Sequence, residues 1–411
     1  MTTIDYNFLS LIEKEVGSPF YVMFPTKYEN NVKAFAEAFR QRYDRLIVGY
    51  SFKTNYVPAL CRKAKELGCY AEVVSEMEMD LALSLGFDRI IFNGPIKRGQ
   101  ALIKAIEHQA LINIDAAYEV DFLCNYKKAH PNEEIRAGLR LNVMLTDENG
   151  NSVVQNGLRC GRFGFPHDIL DRIIKQLRDA GIKIISVHGH TSSSDRAVIN
   201  YQVICDYMLK VCEEFKLEDI EFFDIGGGFF GAAPEGFDLT GRPTYEDYAN
   251  IVVDCVEKSE WFKKRKPYIV IEPGSSVVSN AFKYFMKVYQ IKHIGEKNFA
   301  MVDGTIFDVK PTMHANNLPH MVISSISSTE TGFYDVVGST CMEKDVILKD
   351  VVLPALKAGD YIEIRGVGAY TIALTPTFIN YLAPIVSVAN DEMKVVRRRE
   401  QLKDILTIYE K

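Results

Sequence analysis

The stretch VGYSFKTN, residues 48–55, is the part of this sequence around which the fold is organised. With the preceding Leu46 and Ile47 it begins as an apolar, β-prone run, which is typical of a buried strand. Lys53 lies at the carboxyl end of that strand, just before a polar turn and the helical pattern 57–67. A lysine is costly to place there unless it is paired or reacts. Two interpretations stay open on this stretch alone: a Schiff-base lysine, or a strand-end lysine that extends into solvent.

Strand and helix patterns alternate on either side of this stretch. Strands are predicted at 45–52, 69–74, 89–93, 110–113, 135–142, 183–188, 221–225 and 268–271. Helical patterns lie between most of them, at 28–43, 76–85, 97–107, 167–180, 200–214 and 245–264. Eight β-then-α units over about 250 residues predict an α/β fold, a closed (β/α)8 TIM-like barrel whose sites lie at the carboxyl ends of the strands. A doubly wound open sheet is the main alternative.

The pattern changes after Gly274, where short β-rich runs replace the alternation. They lie at 277–288, 299–302, 321–324, 345–348, 360–363 and 385–388, and no long helical pattern follows until 401–409. We therefore expect a mostly antiparallel β domain after the barrel. The predicted division is an N-terminal segment 1–26 that joins the β domain, the barrel at 27–275, and the β domain at 276–411. The basic triplet 397–399 is predicted to be a solvated strand edge.

Composition excludes several classes of protein. The chain has 411 residues, which is too many for one ordinary hydrophobic core, so two domains are expected. Its net charge of -6 gives no excess of positive charge for binding nucleic acid. No run reaches the roughly 18 apolar residues of a membrane span. The first 17 residues mix acidic and apolar side chains, unlike a signal peptide. The eight cysteines are scattered without metal-like spacing, which favours a reducing, cytoplasmic setting.

Polar clusters follow three further predicted strands. VHGHTSSS, 187–194, ends a strand with His188 and His190, which could bind a metal, although no acidic partner follows at metal-like spacing. FDIGGGFFG, 223–231, has three glycines after an apolar strand, so backbone N–H groups could approach a phosphate. IVIEPGSS, 269–276, places Glu272 directly after a strand, where its carboxylate needs an arginine or a pyridinium nitrogen as partner.

Two loops of the β domain complete the set. GSTCMEKD, 338–345, contains Cys341, and RGVGAYTIALTPTFIN, 365–380, contains Tyr370. In this order the motifs resemble those of the barrel-type (fold type III) pyridoxal phosphate-dependent decarboxylases, the family of diaminopimelate, ornithine and arginine decarboxylases. AEVVSEMEM, 71–79, and CGRFGF, 160–165, are also similar to stretches of that family. The resemblance extends from Ser18 to about Tyr381 and implies an alanine-racemase-like architecture.

The resemblance also implies roles for individual residues. Lys53 resembles the lysine that holds pyridoxal 5'-phosphate as an internal aldimine, and His190 the histidine that stacks on its ring. Glu272 resembles the glutamate that pairs with the ring nitrogen. Glu72 and Arg140 match polar residues near the ring and its lysine, with Glu72 where the family more often has aspartate. The residues that match groups around the phosphate are Ser193, Gly226, Gly227, Gly228 and Tyr370.

The resemblance further implies that two chains form each active site. Cys341 matches a cysteine that the neighbouring subunit of a head-to-tail homodimer contributes. In the implied reaction the substrate amine displaces Lys53, the α-carboxylate leaves as carbon dioxide, and the ring nitrogen held by Glu272 draws off the electrons. Cys341 then returns a proton to Cα as general acid.

The sequence departs from diaminopimelate decarboxylases at positions that bear on the substrate. An arginine that helps hold the distal carboxylate follows EPG in those enzymes, whereas Ser275 stands here. The acidic residue after the cysteine is replaced by Met342, with Glu343 one step later. The arginine and tyrosine of a third substrate-binding stretch correspond to Lys310 and His314 in KPTMH, 310–314. Lysine cannot bind a carboxylate in the bidentate manner of arginine.

These departures predict an unusual or modified amino acid as the substrate. Asp303, in VDG, resembles an aspartate that contacts the distal amine of the substrate in ornithine-type enzymes. A substrate with a basic side chain is therefore not excluded. The alternatives are a meso-diaminopimelate decarboxylase of lysine biosynthesis and an amino-acid racemase on the same fold, although Glu272 favours full carbanion formation over racemisation. A non-enzymatic pyridoxal phosphate carrier lacks the second domain, and a metal-dependent barrel hydrolase would use His188 and His190.

Overall fold

The computed structural model describes residues 4–326, 328–390 and 392–409. Its strands are β1 (Phe20–Met23), β2 (Leu46–Ser51), β3 (Tyr70–Val73), β4 (Ile90–Phe92), β5 (Leu111–Ile114), β6 (Arg136–Leu141), β7 (Lys183–Gly189), β8 (Phe222–Asp224), β9 (Tyr268–Ile271), β10 (Phe282–Ile294), β11 (Lys297–Val302), β12 (His320–Ile323), β13 (Thr331–Val337), β14 (Val346–Pro354), β15 (Tyr361–Arg365), β16 (Ile385–Ala389) and β17 (Glu392–Arg397). Its α-helices are α1 (Tyr6–Val16), α2 (Pro25–Arg40), α3 (Pro58–Glu66), α4 (Glu76–Ser84), α5 (Gly99–Glu107), α6 (Ala117–Ala129), α7 (Leu170–Asp179), α8 (Val198–Glu214), α9 (Tyr245–Val256), α10 (Glu260–Arg265), α11 (Ser275–Val278), α12 (Ile306–Val309) and α13 (Leu402–Leu406). None of the helices in these described ranges is both long enough and apolar enough to cross a membrane.

The first compact unit, residues 31–231 and 241–277, is a closed parallel barrel. Strands β2 to β9 pair in sequence order, and β9 pairs with β2 to close the ring. The (β/α)8 prediction is therefore confirmed, and the open-sheet alternative is wrong. Because every strand is parallel, all eight carboxyl ends lie at one end of the barrel.

The barrel strands are apolar because both of their faces are covered. One buried cluster joins five strands that are far apart in the chain, through Ile47, Ile91, Leu111, Ile185 and Val270. Burying each such side chain contributes roughly 1.5–3 kcal/mol. This core holds the strand ends, and the loops that follow them, in fixed positions.

The second compact unit contains residues 1–30, 232–240 and 278–411, as far as they are described. Its sheet has the order β14-β13-β11-β10-β1-β16-β17, and β15 pairs with both β10 and β12. The pairs are antiparallel except β1 with β16 and β11 with β13. Leu9 and Ile12 of α1 pack against Phe20, Phe285 and Tyr361 of this sheet. The mostly antiparallel β domain is therefore confirmed.

Three local predictions differ from the structure. The pattern 245–264 forms two helices, because α9 ends at Val256 and Ser259 caps α10 by accepting from Phe262 N. The run 277–288 starts in helix α11 and a 3-10 turn, and its strand begins only at Phe282. The triplet 397–399 is not solvated throughout, because the guanidinium of Arg397 donates to Ala383 O at 2.6 Å. The sequence patterns also missed helices α1 and α6 and strands β13 and β17.

Candidate active site

Lys53 lies just beyond β2, in the 3-10 turn Phe52–Thr54. Its Nζ donates to Glu72 Oε2 and to Ser51 Oγ, both at 2.7 Å. The side chain of Glu72 is fully buried, whereas that of Lys53 is 35% exposed. The amine is thus held by a buried carboxylate and still reaches a cavity, instead of extending freely into solvent.

Glu272 follows β9 and is buried beneath that cavity. Asn93, which follows β4, donates its Nδ2 to Glu272 Oε1 at 2.6 Å and to Glu72 Oε1 at 3.0 Å. Asn113 in β5 in turn donates to Asn93 Oδ1 at 2.9 Å. A chain of buried polar groups therefore connects Lys53 through Glu72 and Asn93 to Glu272.

Asp224 and His188 flank Glu272 from β8 and β7. The three residues offer ligand atoms that all lie within 4.8 Å of one another, and His188 Nε2 lies 3.6 Å from Glu272 Oε2. The acidic partners that were absent near His188 in sequence are thus present in space. The three side chains are therefore grouped closely enough to hold a metal ion. His188 also lies close enough to Glu272 to stabilise the negative charge of its carboxylate.

The protonation of these groups follows from burial and from their neighbours. Burial raises the pKa of Asp224 well above its ordinary value, and the adjacent Glu272 raises it further. Burial alone would raise the pKa of Glu272 too, but His188, Lys53 and His190 outweigh it and the pKa is lowered. Burial lowers the pKa of His188, with Glu272 opposing the shift. These opposite shifts favour the carboxylate form of Glu272 and the protonated form of Asp224.

His190 follows β7 and accepts a hydrogen bond at Nδ1 from Gly227 N, at 3.0 Å. Burial lowers the pKa of His190 to about 3, with Arg140 and Lys53 adding to the shift. The ring is therefore a neutral imidazole protonated at Nε2. Arg140 is itself paired, since its Nη1 donates to Asp115 Oδ2 at 3.1 Å and its Nη2 to His190 O at 3.4 Å.

The glycine triplet packs tightly against the same groups. A Cβ atom on Gly227 would lie 2.4 Å from Glu272 O, and one on Gly226 would lie 2.5 Å from His190 Cβ. Gly226 also has φ +71°, a backbone conformation that side chains disfavour. Ser193 lies in the loop after β7, where its Oγ accepts from Arg196 N at 3.1 Å. The structure thus brings the predicted phosphate-binding motif next to His190 and Glu272.

A cavity of about 380 Å³ lies over these residues. Lys53, Glu72, Arg140, His190 and Glu272 line it together with His188 and Asn93. One side is formed by the segment 154–163, which includes Phe163 and the exposed Leu158. Asn93, Asp224 and Phe163 were not predicted as site residues, although Asp224 lies two residues before the glycine triplet and Phe163 lies within CGRFGF.

This arrangement fits pyridoxal phosphate. The amine of Lys53 is accessible. Among the described residues, no cationic side chain lies within hydrogen-bond distance of the buried, ionised Glu272. Neither ring nitrogen of His188 has a hydrogen-bond partner among those residues. A buried carboxylate of this kind suits a protonated ring nitrogen. Within the glycine triplet, Gly226 N and Gly227 N donate to Asp224 Oδ1 and His190 Nδ1, so Gly228 N is the backbone group that would serve a phosphate.

Ser275, a predicted substrate residue of the barrel unit, begins helix α11. The other remaining predicted residues belong to the second unit and are described within it. Cys341 is exposed, in the loop between β13 and β14. In the same loop Met342 N donates to Thr340 Oγ1 at 3.4 Å, and Glu343 follows it. Tyr370 is 43% exposed and has φ +51°.

Three other predicted substrate residues of this unit lie between β11 and β12. Asp303 Oδ1 accepts from Lys287 N at 2.7 Å, and burial raises the pKa of its carboxyl group. Lys310 is buried, and its Nζ lies 3.5 Å from Asn316 O. Burial lowers the pKa of Lys310 and that of His314, and Lys310 lowers the pKa of His314 further. Their roles toward a substrate stay predictions.

Comparison with known proteins gives the same assignment. Residues 29–279 match the family model described as "Pyridoxal-dependent decarboxylase, pyridoxal binding domain". The chain is 27% identical over 402 residues to the diaminopimelate decarboxylase of Archaeoglobus fulgidus, covering 96% of this chain and 93% of that one. It is also 27% identical over 402 residues to the probable chloroplastic diaminopimelate decarboxylase of rice, covering 96% of this chain and 80% of that one.

Solved structures share the fold. The diaminopimelate decarboxylase of Helicobacter pylori complexed with L-lysine has a TM-score of 0.83 at 24% identity, with 98% of this chain and 99% of that chain covered. The arginine decarboxylase of Paramecium bursaria Chlorella virus bound to agmatine has a TM-score of 0.76 at 21% identity, with 93% and 100% covered. Since the family model covers more than half of the chain, this protein belongs to the pyridoxal phosphate-dependent amino-acid decarboxylases, which are carbon–carbon lyases.

Proposed function

We propose that this enzyme removes the α-carboxylate of an amino acid whose distal end differs from that of meso-diaminopimelate. The observation that carries the proposal is Ser275, which stands after EPG where diaminopimelate decarboxylases have an arginine. Met342 adds to it, because it stands where an acidic residue would provide the counter-charge for a distal ammonium. Neither side chain can bind a charged group as the replaced one does.

The residues of the barrel support decarboxylation in general. Pyridoxal phosphate, when bound, supplies the electron sink that accepts the electron pair left by departing carbon dioxide. The Lys53 amine would attach it, and the hydrogen bonds of Nζ to Glu72 and Ser51 support this role. The ionised Glu272 would hold a positive ring nitrogen. The neutral His190 offers a flat face without adding a competing charge.

The buried, ionised state of Glu272 also supports decarboxylation over racemisation. A carboxylate favours a protonated ring nitrogen, and a protonated ring nitrogen withdraws electrons more strongly than a neutral one. The second candidate substrate is meso-diaminopimelate itself, which the names of the relatives at about 27% identity favour.

A carbon dioxide release assay over a panel of amino acids tests the substrate proposal. The panel contains meso-diaminopimelate, lysine, ornithine, arginine and their N- and side-chain-acylated forms. We expect kcat/KM for one or more modified amino acids to exceed that for meso-diaminopimelate by about tenfold or more, a difference of about 1.4 kcal/mol. Efficient conversion of meso-diaminopimelate to lysine, with no better substrate in the panel, would contradict the proposal.

We also propose that the enzyme is a cytoplasmic head-to-tail homodimer in which Cys341 serves the site of the partner chain. The exposed position of Cys341 on a loop supports this role. Mixing Lys53→Ala and Cys341→Ala variants after reversible dissociation tests it. Shared sites predict that one site of each hybrid dimer is intact, which restores about one quarter of wild-type activity. Mixtures that stay inactive, although hybrids are detected by mass, would refute the shared site.

A further inference from the structure

Related enzymes have an arginine directly after EPG, and Ser275 stands at that position here. The end of the glycine loop therefore lacks that guanidinium. The structure places another arginine there. Nη1 of Arg196 donates to Ser275 Oγ and to Phe229 O, both at 3.4 Å. Phe229 directly follows the glycine triplet 226–228. A guanidinium from the loop after β7 thus lies between the two glycine-containing loops that follow β8 and β9.

The loop that carries Arg196 is tied to the same place by its backbone. Arg196 N donates to Ser193 Oγ at 3.1 Å, and Arg196 O accepts from Tyr248 OH at 2.7 Å. The same Tyr248 hydroxyl accepts from Phe230 N at 3.1 Å, two residues beyond the glycine triplet. Arg196 has φ +54°, a conformation that costs about 1 kcal/mol or more for a residue with a side chain. Neighbouring contacts therefore hold the backbone in a conformation that aims this side chain at the loops.

The charge of Arg196 is also available. Lys53 and Arg140 are each paired with a carboxylate, Glu72 and Asp115 respectively. Within the described residues, by contrast, the hydrogen bonds of the Arg196 guanidinium go to neutral oxygens. A guanidinium has five N–H donors, so most of its capacity remains for an anion. Backbone N–H groups of a glycine loop bind a phosphate better when a cation shares its charge.

We propose that Arg196 supplies the guanidinium that binds the phosphate of pyridoxal phosphate, at the place that Ser275 leaves without a charge. The phosphate would be held by Gly228 N, by Ser193 and by Arg196. This assignment rests on membership of the pyridoxal phosphate family. It also bears on the substrate proposed above, because Arg196 contacts Ser275, the residue on which that proposal rests. The rival anion for the same guanidinium is a carboxylate of the substrate.

The test compares the affinities of the full-length, cofactor-stripped protein for pyridoxal phosphate and for pyridoxal, which lacks the phosphate. Absorbance titration gives both dissociation constants. Arg196→Gln keeps donors for Phe229 O and Ser275 Oγ while removing the charge. We expect about 10- to 100-fold weaker binding of pyridoxal phosphate, the effect of one charge-assisted hydrogen-bonding group, and a change under about twofold for pyridoxal. Arg196→Lys should give an intermediate loss. Arg242→Gln removes the same charge from an exposed arginine over the Phe230 ring and is the matched control.

A rescue variant separates a phosphate role from a structural one. In the Arg196→Gln background, Ser275→Arg returns a guanidinium to the position after EPG and should restore most of the affinity for pyridoxal phosphate. Equal losses for pyridoxal and pyridoxal phosphate, or no loss for either, would overturn the proposal. So would an unchanged cofactor affinity with a raised KM for the substrate, because the guanidinium would then bind a substrate carboxylate. If Arg196→Gln fails to fold, the test rests on Arg196→Lys alone. Its dissociation constant should then rise more for pyridoxal phosphate than for pyridoxal, and an equal rise for both would overturn the proposal.

Discussion

The buried pair of Lys97 and Glu119 allows the most quantitative test of how the barrel supports its site. Both side chains are fully buried, and Nζ lies 3.0 Å from Glu119 Oε2. Lys97 Nζ also donates to Gly94 O at 2.9 Å, and Gly94 lines the cavity. Glu119 further accepts from Asp115 N and from Tyr118 OH, both at 2.9 Å. The pair thus fixes the loop after β4 and the residue that pairs with Arg140.

Replacing Lys97 by methionine leaves Glu119 buried without its cation. Breaking a buried pair in this way costs about 3–5 kcal/mol. For a unit of roughly 150–250 residues, 1 kcal/mol shifts the melting temperature by about 2–4 °C, so Lys97→Met should lower it by about 6–20 °C. The double variant Lys97→Met/Glu119→Gln removes the uncompensated charge and should recover at least half of that loss, because glutamine can still accept from Tyr118 OH.

The dependence on pH has a definite sign. Burial raises the pKa of Glu119, and Lys97 opposes that shift, so removal of Lys97 raises the pKa further. A carboxyl group whose pKa is higher in the folded state contributes stability at low pH that is lost as pH rises. The deficit of Lys97→Met should therefore shrink as the pH falls from neutral toward about 4.3, the ordinary value of glutamate.

Thermal unfolding at one scan rate, followed by circular dichroism, measures these effects. Lys104→Met is the matched control, since Lys104 pairs with Asp80 on the surface and should cost no more than about 1 kcal/mol. A shift of less than about 2 °C for Lys97→Met, or a double variant as unstable as the single one, would refute the reasoning.

Three further predictions concern the site directly. Lys53→Ala should abolish the covalent attachment of cofactor, so that borohydride treatment adds no mass to the protein; a stable adduct elsewhere would disprove the assignment of Lys53. Glu272→Gln should lower kcat/KM by about 10- to 100-fold, the effect of a lost charge-assisted contact, and Glu272→Asp should lose less; equal rates for the glutamine variant and the wild type would contradict it. His190, with a pKa of about 3, should stay neutral and protonated at Nε2 from pH 5 to 8 in nitrogen-15 NMR spectra, because Gly227 N donates to Nδ1; a titration within that range would show that the ring is not neutral.

The barrel was predictable because its signals are local. Each strand is a short apolar run with a helical pattern after it, and the chain order of the strands is also their order in the barrel. The positions of Lys53, Glu272 and the glycine triplet followed from the same rule, since all carboxyl ends of parallel strands meet at one end. Errors arose where local composition is ambiguous, as at 277–288, where an apolar β-branched run begins as helix.

The sequence by itself determined the two kinds of domain, the lysine, the glycine loop, the carboxylate after EPG and the family they indicate. Only the tertiary structure decided which polar groups contact the lysine, the glycine loop and the carboxylate. Asn93 and Glu272 are 179 residues apart in the chain yet share a hydrogen bond, and Arg196 lies 79 residues from the serine it contacts. Such contacts depend on how strands close into a ring and how their loops cross, and no periodicity of the chain encodes them. The ionised state of Glu272 and the neutral state of His190 likewise arise from burial and neighbours that exist only in the folded barrel.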